Sequence, residues 1–295
     1  MDVHGFADLW EHVRLLSDRR RNQALLGLLH RHAPGARVLE VGCGSGLLSC
    51  IAARLGAKQV YAVEPTAQVE LARTLVERNQ LHDVVQVIDG MIQEVDPRPV
   101  DLAFSELLNA DPFAEGLVDA MDAAANWVME GGRLSPRRLR LWVALVRENT
   151  SAREVAEVRQ VLAQLSQHHQ LDLSPLVDGL DTLEPYRFLS PAAVPVTRSH
   201  CVLDLPLGTG TRPPQVVHVE VPVEHSGPVG GALVWFEAEV DDGVWMSNPP
   251  TNPGHWGHLL SGWPTEVGGA RDGVVSIEVL LDVDEGVVVQ PAPRR

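Results

Sequence analysis

Lysine is almost missing from this chain: Lys58 is the only one among 24 basic residues, and 39 acidic residues outweigh them for a net charge of −15. Non-specific nucleic-acid binding needs a basic footprint, so the charge argues against that class. An acidic surface attracts cationic substrates or serves solubility alone. The preference for arginine over lysine fits a GC-rich, bacterial genome. Cysteine is scarce too. Cys43, Cys50 and Cys201 stand at irregular spacing, which builds neither a disulfide framework nor a zinc site, and no metal is expected. No apolar run approaches membrane-spanning length, and the N-terminus is charged and polar. A cytoplasmic protein without signal peptide or membrane contact is expected. Internal repeats and low-complexity linkers are also lacking. What remains, with 45% hydrophobic and 21% charged residues over 295 positions, is an ordinary globular chain long enough for two domains.

Apolar residues at Phe6, Leu9, Trp10, Val13 and Leu16 recur at helical spacing, and the pattern predicts a helix over 6–31 that ends at His32-Ala33-Pro34-Gly35. Strands and helices then alternate: strand 37–41, helix 47–55, strand 59–63, helix 66–78, strands 84–88 and 100–104, helix 115–129 stopped by Gly131-Gly132, and a last strand 139–146. Short apolar strands between helices predict a mostly parallel sheet covered on both faces. Ser151-Ala152-Arg153-Glu154 matches a capping box and opens a helix with Val155, Val158, Leu162 and Leu165 on one stripe. Beyond about residue 170, short strands punctuated by Pro and Gly predict a β sandwich or barrel. The expected organisation is a helical segment 1–31, an α/β Rossmann-like domain 32–147, and an all-β domain 148–295 with a helical arm near 151–170. Trp235, Phe236 and Trp245 read as core, and His168, His169, His200, His218, His225 and His258 as structural.

Residues 38–46 (VLEVGCGSG) form a strand running into a glycine turn that opens a helix. Glycine permits positive φ and close backbone approach to a ligand. A G-x-G turn alone also fits a dinucleotide site. Two details favour S-adenosyl-L-methionine: the fingerprint is G-x-G-x-G, and the next strand ends in Glu64, placed to accept from both ribose hydroxyls. Cys43, inside the turn, reads as a small filler. Residues 105–115 (SELLNADPFAE) follow another strand and place Glu106 and Glu115 on one loop. Two carboxylates converging at the carboxyl edge of such a sheet suit a planar guanidinium, which binds carboxylates through paired hydrogen bonds.

His12-x-x-Leu15-Leu16-x-Asp18-x-x-Arg21, the V-L-E-V-G-C-G-S-G-L-L-S run, Tyr61-Ala62-Val63-Glu64, residues 87–94, the Glu106/Glu115 loop and Gly254-His255-Trp256 follow in order. Together they resemble the protein arginine methyltransferase family over nearly the whole chain, in the style of a bacterial, monomethylating member. The resemblance implies methyl transfer from S-adenosylmethionine to a guanidino nitrogen. It implies that Glu106 and Glu115 grip the substrate, with Asp18 and His255 as a proton relay. It also implies that His12, Arg21, Glu40, Gly42, Gly44, Glu64, Ile92 and Gln93 hold the cofactor, and that Leu15 and Trp256 contact substrate. Arg21 should bind the cofactor's carboxylate, and a homodimer through the helical arm is expected. Gln93 stands where many members have an acid, Gly254 where they have threonine, Ala110 where many have tyrosine, and Leu15 and Leu117 where asymmetric dimethylating members often have methionine. Free arginine, a guanidino metabolite or a short peptide is the expected substrate, in a metabolic or natural-product role. Arginine-rich protein segments, a silent cofactor-binding sensor and an unrelated small-molecule methyltransferase are the alternatives.

Overall fold

Asp18 ends one helix and starts another. Residues 15–17 are helical, but Asp18 takes an extended backbone (φ −74°, ψ 99°) and becomes the N-cap of α1, Arg19–His32. Its Oδ1 accepts from the amides of Arg20 (3.0 Å) and Arg21 (3.1 Å), donors that a first helical turn leaves open. The continuous helix expected over 6–31 is therefore broken at Asp18, because a capping aspartate within a charged block has the same periodicity as an exposed helical residue. The computed structural model describes residues 15–147, 150–177, 187–189, 195–223, 228–252, 254–267 and 273–293. His12, His225 and the predicted helical residues 6–14 lie outside these.

Strands β1 (Arg37–Val41), β2 (Gln59–Glu64), β3 (Val85–Asp89), β4 (Val100–Ser105) and β5 (Val128–Ser135) pair in parallel in the order β3-β2-β1-β4-β5. Helices α2 (Leu47–Arg54), α3 (Val69–Arg78) and α4 (Leu117–Ala125) connect them. Val38, Val60, Leu102 and Phe104 bury one face with Leu28 and Leu29 of α1, and Leu39, Val41, Val63 and Ala103 bury the other with Trp127. Burial on both faces is why these strands read as nearly unbroken apolar runs.

Two expectations need correction. The helix expected over 115–129 stops at Ala125, and Gly131-Gly132 lie inside β5 instead of ending a helix. Gly131 has φ +77° with open space around it, so it serves the backbone conformation, whereas a Cβ on Gly132 would meet Val128 Cγ1 at 2.8 Å and the Asp101 carbonyl at 3.1 Å, so Gly132 serves close strand packing. The last strand expected for the parallel sheet, β6 (Arg138–Val146), instead pairs antiparallel with β10 (Val229–Asp241) and β8 (His200–Pro206). Helix α5 (Thr150–His169) follows β6. The antiparallel part holds a six-stranded sheet, β7 (Arg187–Leu189), β12 (Leu259–Val267), β10, β6 and β8 with β11 (Val244–Ser247) paired to β10, and a three-stranded sheet, β14 (Gly286–Pro291), β13 (Val274–Asp282) and β9 (Val216–Pro222). Their inner residues, among them Leu141, Phe236, Trp263, Ile277 and Val289, form one core with Leu117 and Met121 of α4.

One carboxylate fastens the halves. Asp241, 5% exposed at the end of β10, accepts through Oδ2 from Arg31 Nε (2.6 Å) and His32 Nε2 (3.0 Å) of α1. Through Oδ1 it accepts from Arg133 Nη1 (2.9 Å) of β5. Burial pushes this carboxyl up, but the Arg31 and His32 hydrogen bonds outweigh it and bring it down to about 2. Its folded pKa lies below the unfolded one, so its stabilisation is complete above about pH 4 and lost as pH falls toward 2. Asp241→Asn should cost about 2–4 kcal/mol in chemical denaturation at pH 7 and shrink the acid-side loss, because removing one partner of a buried charge cluster strands the others. Asp242→Asn, on the exposed rim, should leave the denaturation midpoint nearly unchanged.

Candidate active site

Strand order reverses between β1 and β4, and α/β proteins bind ligands in the crevice beyond such a switch point. Ser105 Oγ closes the sheet there by donating to the Val41 carbonyl (2.9 Å). Beyond β1, Gly42, Gly44 and Gly46 all hold positive φ (+71°, +51°, +74°). Positive φ favours glycine at Gly42, and a Cβ there, 2.5 Å from Leu107 Cδ2, would push that side chain aside.

Glu64, buried at the end of β2, accepts from the Gly44 amide (2.7 Å), the Thr66 amide (3.0 Å) and Thr66 Oγ1 (2.5 Å). The turn is thus folded back onto the acid. Under it, burial pushes Glu40 up to about 8 against the opposing hydrogen bond from Ser49 Oγ, so it is a neutral acid at pH 7. Burial also raises the Cys43 thiol far above the ordinary range, as suits a filler and not a nucleophile.

The loop after β4 carries both glutamates. Glu106 accepts through Oε2 from Arg21 Nε (2.7 Å) and Nη2, with both side chains 6% exposed, and through Oε1 from Trp256 Nε1 (3.2 Å). Arg21 Nη1 donates to Asn22 Oδ1 (3.1 Å). Glu115 is exposed at the loop's far end, where its Oε1 accepts from Asn109 Nδ2 (3.1 Å). Between them Asp111 accepts from the Phe113 amide (3.1 Å) and from the Val287 amide of β14 (2.9 Å).

His255 closes the opposite side. Asp18 Oδ2 is 3.0 Å from its Nδ1 and accepts its amide (3.1 Å). Burial pulls the imidazole below the ordinary histidine range, more strongly than the Asp18 hydrogen bond raises it, so His255 is neutral at pH 7. Burial raises the Asp18 carboxyl, but the hydrogen bonds from His255 and the Arg21 amide leave it lowered overall, an anion. Trp256, 6% exposed, packs edge-on against Phe236 at 5.2 Å. Gly254, the departure in this loop, has φ +63°, and a Cβ there would meet Asp18 Oδ2 at 2.6 Å. Glycine is what lets the aspartate reach the loop.

A cavity of about 580 Å³ joins these groups: Leu15, Arg21, Glu40, Gly42, Gly44, Glu64, Glu106, Glu115, His255 and Trp256 all line it. Asp18 lies behind the His255 wall, lining a neighbouring cavity. Ile92 is packed into the core at 4% exposure, and Gln93 is exposed on the short turn Ile92–Glu94; neither lines this cavity. Sequence reasoning missed Thr66, Leu107, Asn109 and Asp111. The Asx-turn character of Asn109 and Asp111 was visible in N-A-D-P, but not the partners that make them matter. Trp245 also needs correction: it is half-buried, lines the neighbouring cavity and carries the Arg140 guanidinium 4.5 Å over its ring. Among the described residues no His/Cys/Asp/Glu group could hold a metal ion.

The chain is similar to several known proteins. Residues 23–135 match the family described as ribosomal protein L11 methyltransferase (PrmA). An arginine N(omega)-methyltransferase of Streptomyces achromogenes subsp. streptozoticus is 33% identical over 284 residues, covering 89% of this chain and 74% of that protein. Protein arginine N-methyltransferase PRMT10 of Arabidopsis thaliana is 34% identical, but over 50% of this chain and 40% of its own length. Among solved structures, Arabidopsis thaliana protein arginine methyltransferase 10 superposes with a TM-score of 0.76 at 22% identity, over 92% of this chain and 87% of that one. A Trypanosoma brucei PRMT1 enzyme–prozyme heterotetrameric complex with AdoHcy gives 0.71 at 19% identity, over 91% and 86%.

Gly254→Thr should displace Asp18 from His255 and lower stability by about 1–3 kcal/mol, with loss of activity. Gly243→Ala, at a similar φ of +70° but with open space around its Cβ, should lose only about 1 kcal/mol and keep activity. Thermal melts and turnover of both variants check this.

Proposed function

The chain belongs to the arginine N-methyltransferase family and uses S-adenosylmethionine as methyl donor, and from that premise we propose a monomethylating enzyme for free arginine, a small guanidino metabolite or a short peptide. The observation that carries the reading is the Arg21–Glu106 pair: the loop carboxylate already accepts a guanidinium side-on through Nε and Nη2, at the mouth of the cavity that Glu115 also lines. A carboxylate has about four acceptor positions, so Arg21 and Trp256 leave Glu106 capacity for a substrate guanidinium. Arg21 also fixes the plane of the acid.

The residues present fit the cofactor. Gly42 and Gly44 line the cavity without side chains, Glu64 faces the same cavity with Thr66 Oγ1 as an exchangeable partner, and Arg21 offers a cation for a carboxylate. Ile92 and Gln93 follow β3 on the side proposed for the adenine. When bound, the cofactor supplies an electrophilic methyl on a sulfonium.

The protein's part is to orient the acceptor. Glu106 and Glu115 take the guanidinium by charge-assisted hydrogen bonds and draw positive charge toward the nitrogens they touch. The remaining nitrogen is aimed into the cavity, and positioning of this kind is worth up to about 7–11 kcal/mol. Methylation makes the guanidinium nitrogen acidic. Neutral His255, its Nδ1–H held by Asp18, presents Nε2 as the acceptor nitrogen for the departing proton. Crowding around Glu106 supports a single methyl transfer: Leu15 and Trp256 narrow the cavity, and Arg21 occupies Oε2.

A homodimer is part of the proposal. Val158, Val161 and Leu165 repeat at helical spacing on α5 and are 45%, 51% and 42% exposed, an apolar stripe suited to a second copy. No described helix is long and apolar enough to cross a membrane. Free thiols at Cys43, Cys50 and Cys201 support a reducing compartment, the cytoplasm.

Glu115→Gln should cut methyl transfer at least about 100-fold while S-adenosylmethionine affinity by calorimetry stays within about threefold. Glu106→Gln should lose both, because Arg21 loses its partner. Full turnover in Glu115→Gln removes the clamp. Separately, the double substitution Val161→Glu, Leu165→Glu should shift sedimentation from dimer to monomer without unfolding the chain; an unchanged dimer assigns the contact elsewhere.

A further inference from the structure

Beyond the wall of Arg21, His255 and Trp256 lies a second cavity of about 530 Å³. Two consecutive guanidinium groups, Arg19 and Arg20, line it from the first turn of α1, facing Trp245, Ser247 and Asn252. Both are exposed, and among the described residues neither forms a salt bridge. Elsewhere arginines rest on carboxylates: Arg31 and Arg133 on Asp241, Arg137 on Glu239, Arg138 and Arg140 on Asp204, Arg212 on Asp119. Arg20 has a neutral partner instead. The Asn252 amide, turned with its oxygen toward the guanidinium, accepts from Arg20 Nε at 3.0 Å. That contact orients the group and leaves its charge uncompensated. The one carboxylate lining this cavity, Asp18, is turned to the α1 amides and to His255, so in a chain with 39 acidic against 24 basic residues the two adjacent guanidiniums still leave a local excess of positive charge.

The two cavities share Arg21, His255 and Trp256 as lining. With its guanidinium between Glu106 and Glu115, a substrate passes the His255–Trp256 wall toward Arg19 and Arg20. In free arginine the α-carboxylate lies six bonds from the guanidinium carbon, about 7 Å when extended. An arginine inside a protein segment has an uncharged peptide carbonyl at that point, and basic neighbours would be repelled by the same pair.

We propose that Arg19 and Arg20 form a carboxylate-binding subsite that selects free arginine, or an arginine at a peptide C-terminus, over decarboxylated, amidated and internal arginines. The inference rests on the arginine-methylation reading above and adds which end of the substrate is recognised. Arg20 supplies the oriented, bidentate donor, and Arg19 adds charge at the rim.

The test uses the full chain with S-adenosylmethionine and four acceptors: L-arginine, L-argininamide, agmatine and an arginine–glycine peptide amidated at its C-terminus, with products read by mass spectrometry. Arginine should exceed agmatine and argininamide in kcat/KM by at least about 30-fold, chiefly through KM, the scale of one hydrogen-bonded charge pair. The double variant Arg19→Gln, Arg20→Gln should raise KM for arginine at least about tenfold and bring the arginine-to-agmatine ratio near one, with Arg20→Lys restoring part of the preference. Equal turnover of arginine, argininamide and agmatine, or preference for the amidated peptide, overturns the subsite while arginine methylation stands. A variant that lowers kcat equally on every acceptor also overturns it, since that is the mark of a structural role. Methylation of none of the four would sink the proposed function and the subsite together. Should the double variant fail to fold on melting, the wild-type ratios alone decide.

Discussion

Glu106 is where three parts of the chain meet on one buried carboxylate. Its own loop leaves the parallel sheet after β4, Arg21 reaches it from α1, and Trp256 reaches it from the antiparallel half. A charge this enclosed is tolerable only with its partners in place, so the ion pair holds the helix, and the indole holds the His255 loop, in one arrangement. The cavity follows from that closure. Without it the glycine turn and the two glutamates would be neighbours in sequence order but not walls of one space.

The protonation states around this centre differ by environment rather than by residue type. Glu40 beneath the glycine turn is neutral, with burial dominant over the Ser49 hydrogen bonds and the Arg21 charge that oppose it. Asp18, also partly enclosed, stays ionised because backbone amides and His255 donate to it. His255 in turn is neutral because desolvation outweighs its aspartate. An acid that stays charged beside a base that stays neutral is the pairing needed to receive a proton without a prior proton loss.

Much of this was legible in the residues. The parallel strands were readable because each is buried on both faces, and the glycine turn and the Glu106/Glu115 loop because their chemistry is carried by residue type and spacing. Three things were not. The break at Asp18 is made by a side-chain hydrogen bond that leaves no mark on apolar periodicity. The role of Gly131-Gly132 depends on a positive φ at the first and on Val128 and the Asp101 carbonyl crowding the second within a strand, which has the same sequence appearance as a helix stop. Gly254 looked like the loss of a threonine, yet in space it is the vacancy that admits the Asp18 carboxylate. Arg21 was expected on the cofactor alone, and its pairing with Glu106 needed two segments 85 residues apart to be placed together.

Asp111 has a broader consequence. It ties the segment between the two glutamates to the backbone of Val287, at the start of the final hairpin strand. The geometry of the acidic grip is therefore partly written in a distant turn, 282–286, that touches no ligand. Lengthening that turn by one residue would retune the spacing of the two acids from outside, giving evolution a handle on turnover that leaves every motif intact.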